Sequence, residues 1–167
     1  NQCWLTDITY LKTAEGWLYL AAILDLWSRK IVGWACAPTL HTSLVLAALT
    51  NALQRRQPTA GLLHHSDRGS QYCGHLFQSA LKAYGMRSSM SRKGDCWDNA
   101  CSETLFGSLK VERLHGMRME TRRQAKDEVI DWLVWYNSRR LHSTLGYMSP
   151  MQYEQHWLAG QPKTVNL

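Results

Sequence analysis

Alternating apolar and polar positions predict a β-sheet that begins with three antiparallel strands. Residues 3–11 and 17–26 are rich in Trp, Ile, Leu and Tyr and are separated by a short polar connection, a pattern typical of a β-hairpin. Residues 30–37 continue as a third strand. Two shorter apolar runs, at 61–65 and 86–90, predict a fourth and a fifth strand.

Helical spacing separates and follows these last strands. After Thr42, apolar residues at 44, 45, 48, 49 and 53 predict a helix that ends near Pro58, and a second helix is expected at 76–84. A third is expected from Asn99 to about His115, capped by Asp98. Thr121 and Gln124 form a possible capping box for a fourth helix, with apolar positions at 125, 129, 132, 133 and 136. This order predicts an α/β fold with a five-stranded mixed sheet flanked by helices.

The length of 167 residues fits one domain. We expect a core over 1–157, a mobile polar loop over 91–98 and a loosely ordered tail over 158–167. The five cysteines are odd in number and unclustered, so they indicate reduced thiols rather than disulfides or a zinc site. The longest apolar run, 17–24, is too short to cross a bilayer. A cytoplasmic protein is expected.

Lys and Arg number 19 against 13 Asp and Glu, which gives a net charge of +6. This excess suits a phosphate-bearing partner but is equally compatible with an ordinary solvated basic surface.

Three carboxylates stand out from the pattern. Asp7 interrupts an apolar strand, where an unpaired charge is costly. Asp67 follows the end of the fourth strand, where open α/β sheets place their ligands. Glu103 lies on the third predicted helix. If the first and fourth strands are neighbours, the two aspartates lie side by side and the helix can bring Glu103 to them.

Three converging acids repel one another unless cations lie between them, and oxygen ligands alone favour Mg²⁺ or Mn²⁺. Two such ions can align a nucleophile and a leaving oxygen at phosphorus. Each acid also has a structural interpretation. The strand aspartate can pair with Arg29 or Arg68, Asp67 can form an Asx turn, and Glu103 can be a first-turn helix acid.

The segments DITY, HSDRGSQY, SRKGDCWDNA and YNSRRLHSTLGYMSP, with thirty-five residues between Asp67 and Glu103, resemble the integrase-like catalytic core of bacterial insertion-sequence transposases, relatives of retroviral integrase. The resemblance covers residues 4–153. It implies a ribonuclease-H-like fold and a DDE triad in which Asp7 bridges two Mg²⁺ ions, replaceable by Mn²⁺, while Asp67 and Glu103 each hold one.

The activity implied by this resemblance is DNA transposition, with phosphodiester hydrolysis at the element's ends followed by strand transfer from the freed 3′-hydroxyl. No protein nucleophile is needed, so Ser66, Ser70 and Tyr72 are interpreted as hydroxyls that shape the turn. The family places a basic residue seven positions after the glutamate, and Lys110 occupies that position.

Further DNA contacts are predicted around the same helix and near the C-terminal motif. These candidates are Asn99, Gly107, Arg92, Lys93, Arg113, Arg139 and Arg140. Gly107 could let a phosphate backbone pass close or could mark a tight helix-to-sheet crossing. Asn137, Arg139, Arg140 and His142 could grip phosphate or hold the last helix on the core. Trp97 could stack on a base, whereas packing is the commoner use of Trp, and His64 and His65 are interpreted as strand residues facing their neighbours.

Two other functions stay open: a ribonuclease-H-type nuclease on RNA–DNA hybrids, and a catalytically silent DNA-binding or assembly module. The expected partners are transposon-end and target DNA and at least one further protomer. A DNA-binding region before the core, or a separate helper protein, is expected to supply sequence recognition, because nothing in the chain resembles a helix-turn-helix. A bacterial, nucleoid-associated location would follow.

Overall fold

The computed structural model describes residues 1–91 and 100–160, and its strands form one mixed sheet. The strands are β1 (Cys3–Thr13), β2 (Gly16–Asp25), β3 (Ile31–Ala37), β4 (Leu63–Ser66) and β5 (Arg87–Met90). Their order is β3-β2-β1-β4-β5, antiparallel from β3 to β1 and parallel from β1 to β5. The predicted five-stranded mixed sheet is therefore confirmed.

Helices cover both faces of this sheet. They are α1 (Thr42–Arg56), α2 (Ser70–Cys73), α3 (His75–Ala83), α4 (Ala100–Leu109), α5 (Arg122–Ser138) and α6 (Pro150–Ala159), with a 3₁₀ turn at Ser143–Leu145. Within the described residues the predicted helix 99–115 is continuous to Leu114, as α4 over Ala100–Leu109 and then as a π turn over Lys110–Leu114. The predicted cap Asp98, the loop 92–98 and the tail beyond residue 160 lie outside the described residues.

Two hydrophobic cores lie on opposite faces of the sheet. The first packs α1, α2 and α3 on the sheet and includes Trp4, Ile23, Val45, Leu49 and Phe77. The second packs α4 and α5 on the other face and includes Leu11, Leu20, Leu24, Leu109, Val129 and Trp132. Asp7 lies opposite Ala22 of β2, which belongs to the second core. Because directly opposed residues share a face, Asp7 lies on the face that α4 and α5 cover.

The first core requires a close approach of α1 to β3. A Cβ on Gly33 would lie 2.6 Å from the Cβ of Ala52 and would also meet the backbone carbonyl of Ala48. Glycine at this position therefore lets the helix lie directly on the strand.

The start of α5 only partly follows the capping prediction. Thr121 Oγ1 accepts the Gln124 N–H at 3.0 Å, as a capping box requires, but Gln124 Oε1 accepts the N–H of Glu120 rather than that of Thr121. The helix α6 has a complete box between Ser149 and Gln152, with Pro150 in its first turn. The predicted core boundary at residue 157 falls inside this helix.

None of the helices within the described ranges combines the length and the apolar character that a membrane-spanning helix needs.

Candidate active site

Two of the three predicted acids, Asp7 on β1 and Asp67 just after β4, are aligned by the pairing of these neighbouring strands. β1 and β4 are parallel, with Cys3 opposite Leu63 and Leu5 opposite His65. Asp7 and Asp67 each follow two residues after the last of these pairs. The expected adjacency of the first and fourth strands is confirmed, and it places the two aspartates side by side at the end of β4.

Backbone amides hold both carboxylates. The Ile8 N–H donates to Asp7 Oδ1 at 2.8 Å, and the Gly69 N–H donates to Asp67 Oδ1 at 2.9 Å. The second bond is the Asx turn that was expected as a structural role for Asp67. Gly69 lies so close that a Cβ added there would be 3.0 Å from Asp67 Oδ1. The carboxylate of Asp67 is thus fixed by the turn that follows it.

The two arginines considered as structural partners of these acids have other contacts. Arg68 Nε donates to the Ser91 carbonyl at 2.8 Å, and Arg29 Nη1 donates to Cys101 Sγ at 2.9 Å. Asp7 and Asp67 are half-buried at the end of the sheet. The hydrogen bonds described for the two guanidinium groups go to other residues.

Tyr72 belongs to the first core, and the charges of Asp7 and Asp67 both act on it. Its phenol is buried and lies 3.3 Å from Thr6 Oγ1. Burial raises the pKa of Tyr72 most, the Thr6 hydrogen bond lowers it, and the charges of Asp7 and Asp67 raise it further. A phenol whose pKa is raised stays protonated, so Tyr72 is a poor nucleophile. Ser66 donates to the carbonyl of Asp67, in agreement with a role in shaping the turn.

Glu103 is exposed in the first turn of α4, and α4 contacts β1. Leu105 and Leu109 bury the other side of this helix in the second core. Within residues 1–91 and 100–160, no three His, Cys, Asp or Glu side chains lie close enough together to hold a metal ion. The described arrangement brings Asp7 and Asp67 together but leaves Glu103 apart from them.

The basic residues predicted to contact DNA divide into exposed and paired groups. Lys110 and Arg139 are exposed. Arg113 pairs with Glu128 at 2.6 Å and with Asp131 at 3.2 Å. Arg140 pairs with Glu112 at 2.7 Å and donates to Ser108 at 3.0 Å. Arg92, Lys93, Asn99 and Trp97 lie outside the described residues.

Gly107 does not mark a tight crossing. It is exposed, and among the described residues a Cβ added there would have no atom within 4 Å other than its chain neighbours and the backbone of its own helix. The packing interpretation of Gly107 is wrong. Lys110, one turn further on, lines a groove with Tyr10 and Lys12 of β1. Lys12 is a basic neighbour that the sequence pattern did not single out, although its alternation with buried Leu11 and Thr13 marks it as an outward strand position.

The other polar candidates have structural contacts. Asn137 bonds the backbone of Ile31, and the His142 ring contacts Tyr136 at 5.0 Å between centroids. His64 is buried against Phe77, and among the described residues neither of its ring nitrogens has a hydrogen-bond partner. His65 lies 3.0 Å from Ser89 Oγ and 3.1 Å from Ser91 Oγ. The interpretation of both histidines as strand residues is confirmed.

Comparison with known proteins agrees with this architecture. A family model described as Integrase core domain matches residues 1–96, and a second with the same description matches residues 103–158. Transposase InsF for insertion sequence IS3A of Escherichia coli (strain K12) is 47% identical over 160 residues, which cover 95% of this chain and 56% of that protein. The chain thus spans little more than half the length of this curated relative.

Solved structures show the same fold. One chain of the simian T-cell lymphotropic virus intasome in complex with PP2A regulatory subunit B56 gamma matches with a TM-score of 0.78 at 17% identity, over 100% of this chain and 57% of that one. The HTLV-2 integrase catalytic core domain in complex with magnesium, in its trimeric form, matches with a TM-score of 0.70 at 14% identity, over 92% and 95%. The ribonuclease-H-like fold implied by the sequence resemblance is confirmed, and the chain belongs to the integrase core domain family.

Proposed function

We propose that this chain is the catalytic core of a DDE transposase of an insertion sequence. It hydrolyses a phosphodiester at each end of the element and then joins the freed 3′-hydroxyl to target DNA. The observation that carries this proposal is that Asp7 on β1 and Asp67, just after β4, each lie two residues beyond the Leu5–His65 pair of these parallel strands. The 47% identity to a transposase over nearly the whole chain supports it.

The donor set fits a hard divalent cation. The candidate ligands Asp7, Asp67 and Glu103 offer carboxylate oxygens only, which suit Mg²⁺ and Mn²⁺ better than zinc. Asp7, Asp67 and Glu103 would together hold two such ions. Two bound ions would activate the attacking oxygen and stabilise the leaving oxygen. The place of Glu103 in this set rests on the family resemblance and on the contact of α4 with β1.

The residues of the chain position these groups and the DNA. The amides of Ile8 and Gly69 orient the two aspartates, and Lys110 with Lys12 provides a basic groove beside α4. The attacking groups are water in the first step and a DNA 3′-hydroxyl in the second. Because the Tyr72 phenol is buried and its pKa is raised, a covalent tyrosyl intermediate has no support.

The partners proposed for this activity are DNA and a second protomer. Joining two ends of one element to a target requires that both ends be held together, so at least a dimer is expected at the DNA. The HTLV-2 integrase core has been solved in both dimeric and trimeric forms. Recognition of a particular end sequence is assigned to a further region or to a helper protein.

Nicking of supercoiled plasmid DNA in Mn²⁺ tests this function. Wild type is compared with Glu103→Gln, which keeps the side chain's shape and removes its charge. Loss of one ligand charge is expected to reduce nicking roughly 100-fold. The matched control is Glu120→Gln, because Glu120 is also an exposed glutamate and pairs with exposed Arg118.

Full activity of Glu103→Gln would show the triad assignment to be wrong. An RNA–DNA hybrid is included as a second substrate. Preferential cleavage of the hybrid would favour a ribonuclease-H-type nuclease over a transposase core.

A further inference from the structure

Apart from the groove lined by Lys110, a polar cavity lies beside α4. It has a volume of about 490 Å³ and is bounded by the β2–β3 turn, α4, the end of α5 and the 3₁₀ turn. Polar side chains supply much of its lining, namely Arg29, Thr104, Ser108, Arg140, Ser143 and Thr144. Its volume is that of an ordinary small-ligand site, and its lining includes Arg140 and His142, two of the residues considered as phosphate contacts.

The backbone around this cavity is strained. Arg29 has φ 58° and Tyr147 has φ 60°, and both line the cavity. Among the described residues, Gln57 is the one other non-glycine residue with a positive φ. Residues held in a left-handed conformation cost free energy and concentrate at binding sites. Asp25 Oδ1 accepts the N–H groups of Trp27 and Ser28 in the turn directly before Arg29.

The charge of the cavity is positive. Arg140 is neutralised by Glu112, whereas none of the ion pairs between described residues includes Arg29. Arg29 is half-buried and makes its hydrogen bond to the weak acceptor Cys101 Sγ. Both guanidinium groups act on the His142 ring, where burial first and then the charges of Arg140 and Arg29 lower its pKa to about 4. His142 is therefore uncharged at neutral pH and adds no charge to the cavity.

The hydroxyl groups complete an anion-binding lining. Thr104 and Ser108 are one turn apart on α4, and Ser143 and Thr144 lie opposite them on an exposed turn. Hydroxyls and a guanidinium group are the usual donors to a phosphate oxygen. Thr104 directly follows Glu103, so α4 connects the cavity with the proposed metal site.

The geometry points to a phosphate site in this cavity, in which Arg29 binds a backbone phosphate of a single DNA strand that passes over α4. This inference rests on the proposed function for the identity of the DNA, since a free phosphate or nucleotide has the same chemistry. DNA is favoured because the cavity adjoins the helix that carries Glu103 and because Ser143, Thr144 and Tyr147 at its rim are exposed.

The test is fluorescence anisotropy of a labelled single-stranded oligonucleotide, measured in EDTA so that no cleavage occurs. Arg29→Gln is expected to weaken binding about tenfold, because one charge-assisted contact is lost. The slope of log K against log salt should fall by about 0.7. Arg55→Gln removes the same charge from an exposed position of α1, on the opposite face of the sheet, and should change binding less than about twofold.

A second variant separates binding from folding. Thr144→Glu places a carboxylate at the exposed rim without disturbing buried packing. It should weaken binding of the oligonucleotide about as much as Arg29→Gln does. Equal effects of Arg29→Gln and Arg55→Gln, or no effect of Thr144→Glu, would overturn the site.

Calorimetric titration with inorganic phosphate distinguishes the two sources of the anion. Arg29-dependent binding of free phosphate, without Arg29-dependent binding of the oligonucleotide, would overturn the assignment to DNA. Because these experiments contain no metal, they stand or fall independently of the cleavage assay with Glu103→Gln.

Discussion

Asn137 joins α5 to β3 through both polar atoms of its amide. Its Oδ1 accepts the Ile31 N–H at 2.8 Å, and its Nδ2 donates to the Ile31 carbonyl at 2.9 Å. Ile31 begins β3, the edge strand on this side of the sheet. One side chain in the YNSRRLH motif thus continues the hydrogen bonding of the strand, which supports a structural role rather than a phosphate contact.

Asn137→Leu should lower the free energy of unfolding by about 2 kcal/mol, because it leaves both backbone groups of Ile31 without partners. Urea denaturation measures the loss. The control is Arg139→Ala, an exposed neighbour at the end of α5, expected to change stability by less than about 0.5 kcal/mol. Unchanged stability with weakened DNA binding in Asn137→Leu would return this residue to the DNA-contact group.

His64 should make the protein less stable at low pH. Burial first lowers the pKa of His64 from 6.5 to about 4, so the folded protein keeps this ring neutral while the unfolded chain protonates it. The contribution of His64 to the free energy of unfolding is complete above pH 6.5. It is lost as the pH drops from 6.5 towards 4, by roughly 3 kcal/mol in all. Urea denaturation between pH 7 and pH 4.5 measures the slope for wild type and His64→Leu.

The variant isolates this contribution. His64→Leu should be at least as stable as wild type at pH 7, because neither ring nitrogen has a partner to lose. Part of the wild-type slope should remain, since the pKa of His142 is also lowered. His75→Gln, at an exposed position of α3, should keep the wild-type slope. An identical slope in His64→Leu and wild type would contradict the neutral buried ring.

The strands and the long helices could be predicted because their patterns are local. The alternation of Leu11, Lys12 and Thr13 or the spacing of Val129, Trp132 and Leu133 is visible in the sequence alone. The π turn was not predictable, because KVERL continues a helical pattern without a break. The four-residue α2 is too short to produce a helical pattern. By contrast, Ser149, Pro150 and Gln152 mark the start of α6 in the sequence.

The candidate site shows the same limit. Asp7 could be singled out because a carboxylate interrupts an apolar strand. The ion pairs of the basic candidates could not be predicted from the sequence, since Arg113 contacts Glu128 fifteen residues away and Arg140 contacts Glu112 twenty-eight residues away. Spacing along the chain does not determine such contacts between different helices, so Arg113 and Arg140 could not be distinguished from exposed Lys110.

Gly107 should tolerate a methyl group but not a large side chain if DNA passes over it. Gly107→Ala is expected to raise the free energy of unfolding by up to about 1 kcal/mol, since alanine favours the helix and open space surrounds the position. Gly107→Leu should stay folded and bind duplex DNA more weakly in anisotropy measurements. Gln54→Leu, at an exposed position of α1, is the control for side-chain bulk. Unchanged DNA affinity in Gly107→Leu would remove Gly107 from the DNA-contact group.

Gly69→Ala should reduce DNA nicking with little change in stability. Its φ of −57° suits any residue, but the new Cβ would lie 3.0 Å from Asp67 Oδ1 and 3.1 Å from Gln71 Oε1. The carboxylate must therefore shift by a few tenths of an ångström, which we expect to slow nicking about tenfold. Gly160→Ala, where the nearest atom would be 3.6 Å away, should leave nicking unchanged. Wild-type nicking by Gly69→Ala would show that the position of Asp67 is not critical.

The central claim, that Asp7 and Asp67 hold a catalytic divalent cation, is tested most directly by a crystal structure of the protein soaked in Mn²⁺. An anomalous difference map should show an ion bound by oxygens of both aspartates at about 2.0–2.3 Å. The same soak of Asp7→Asn should lose it or bind it much more weakly. Bound Mn²⁺ elsewhere with none between Asp7 and Asp67, or an undiminished peak in Asp7→Asn, would contradict the proposed metal site.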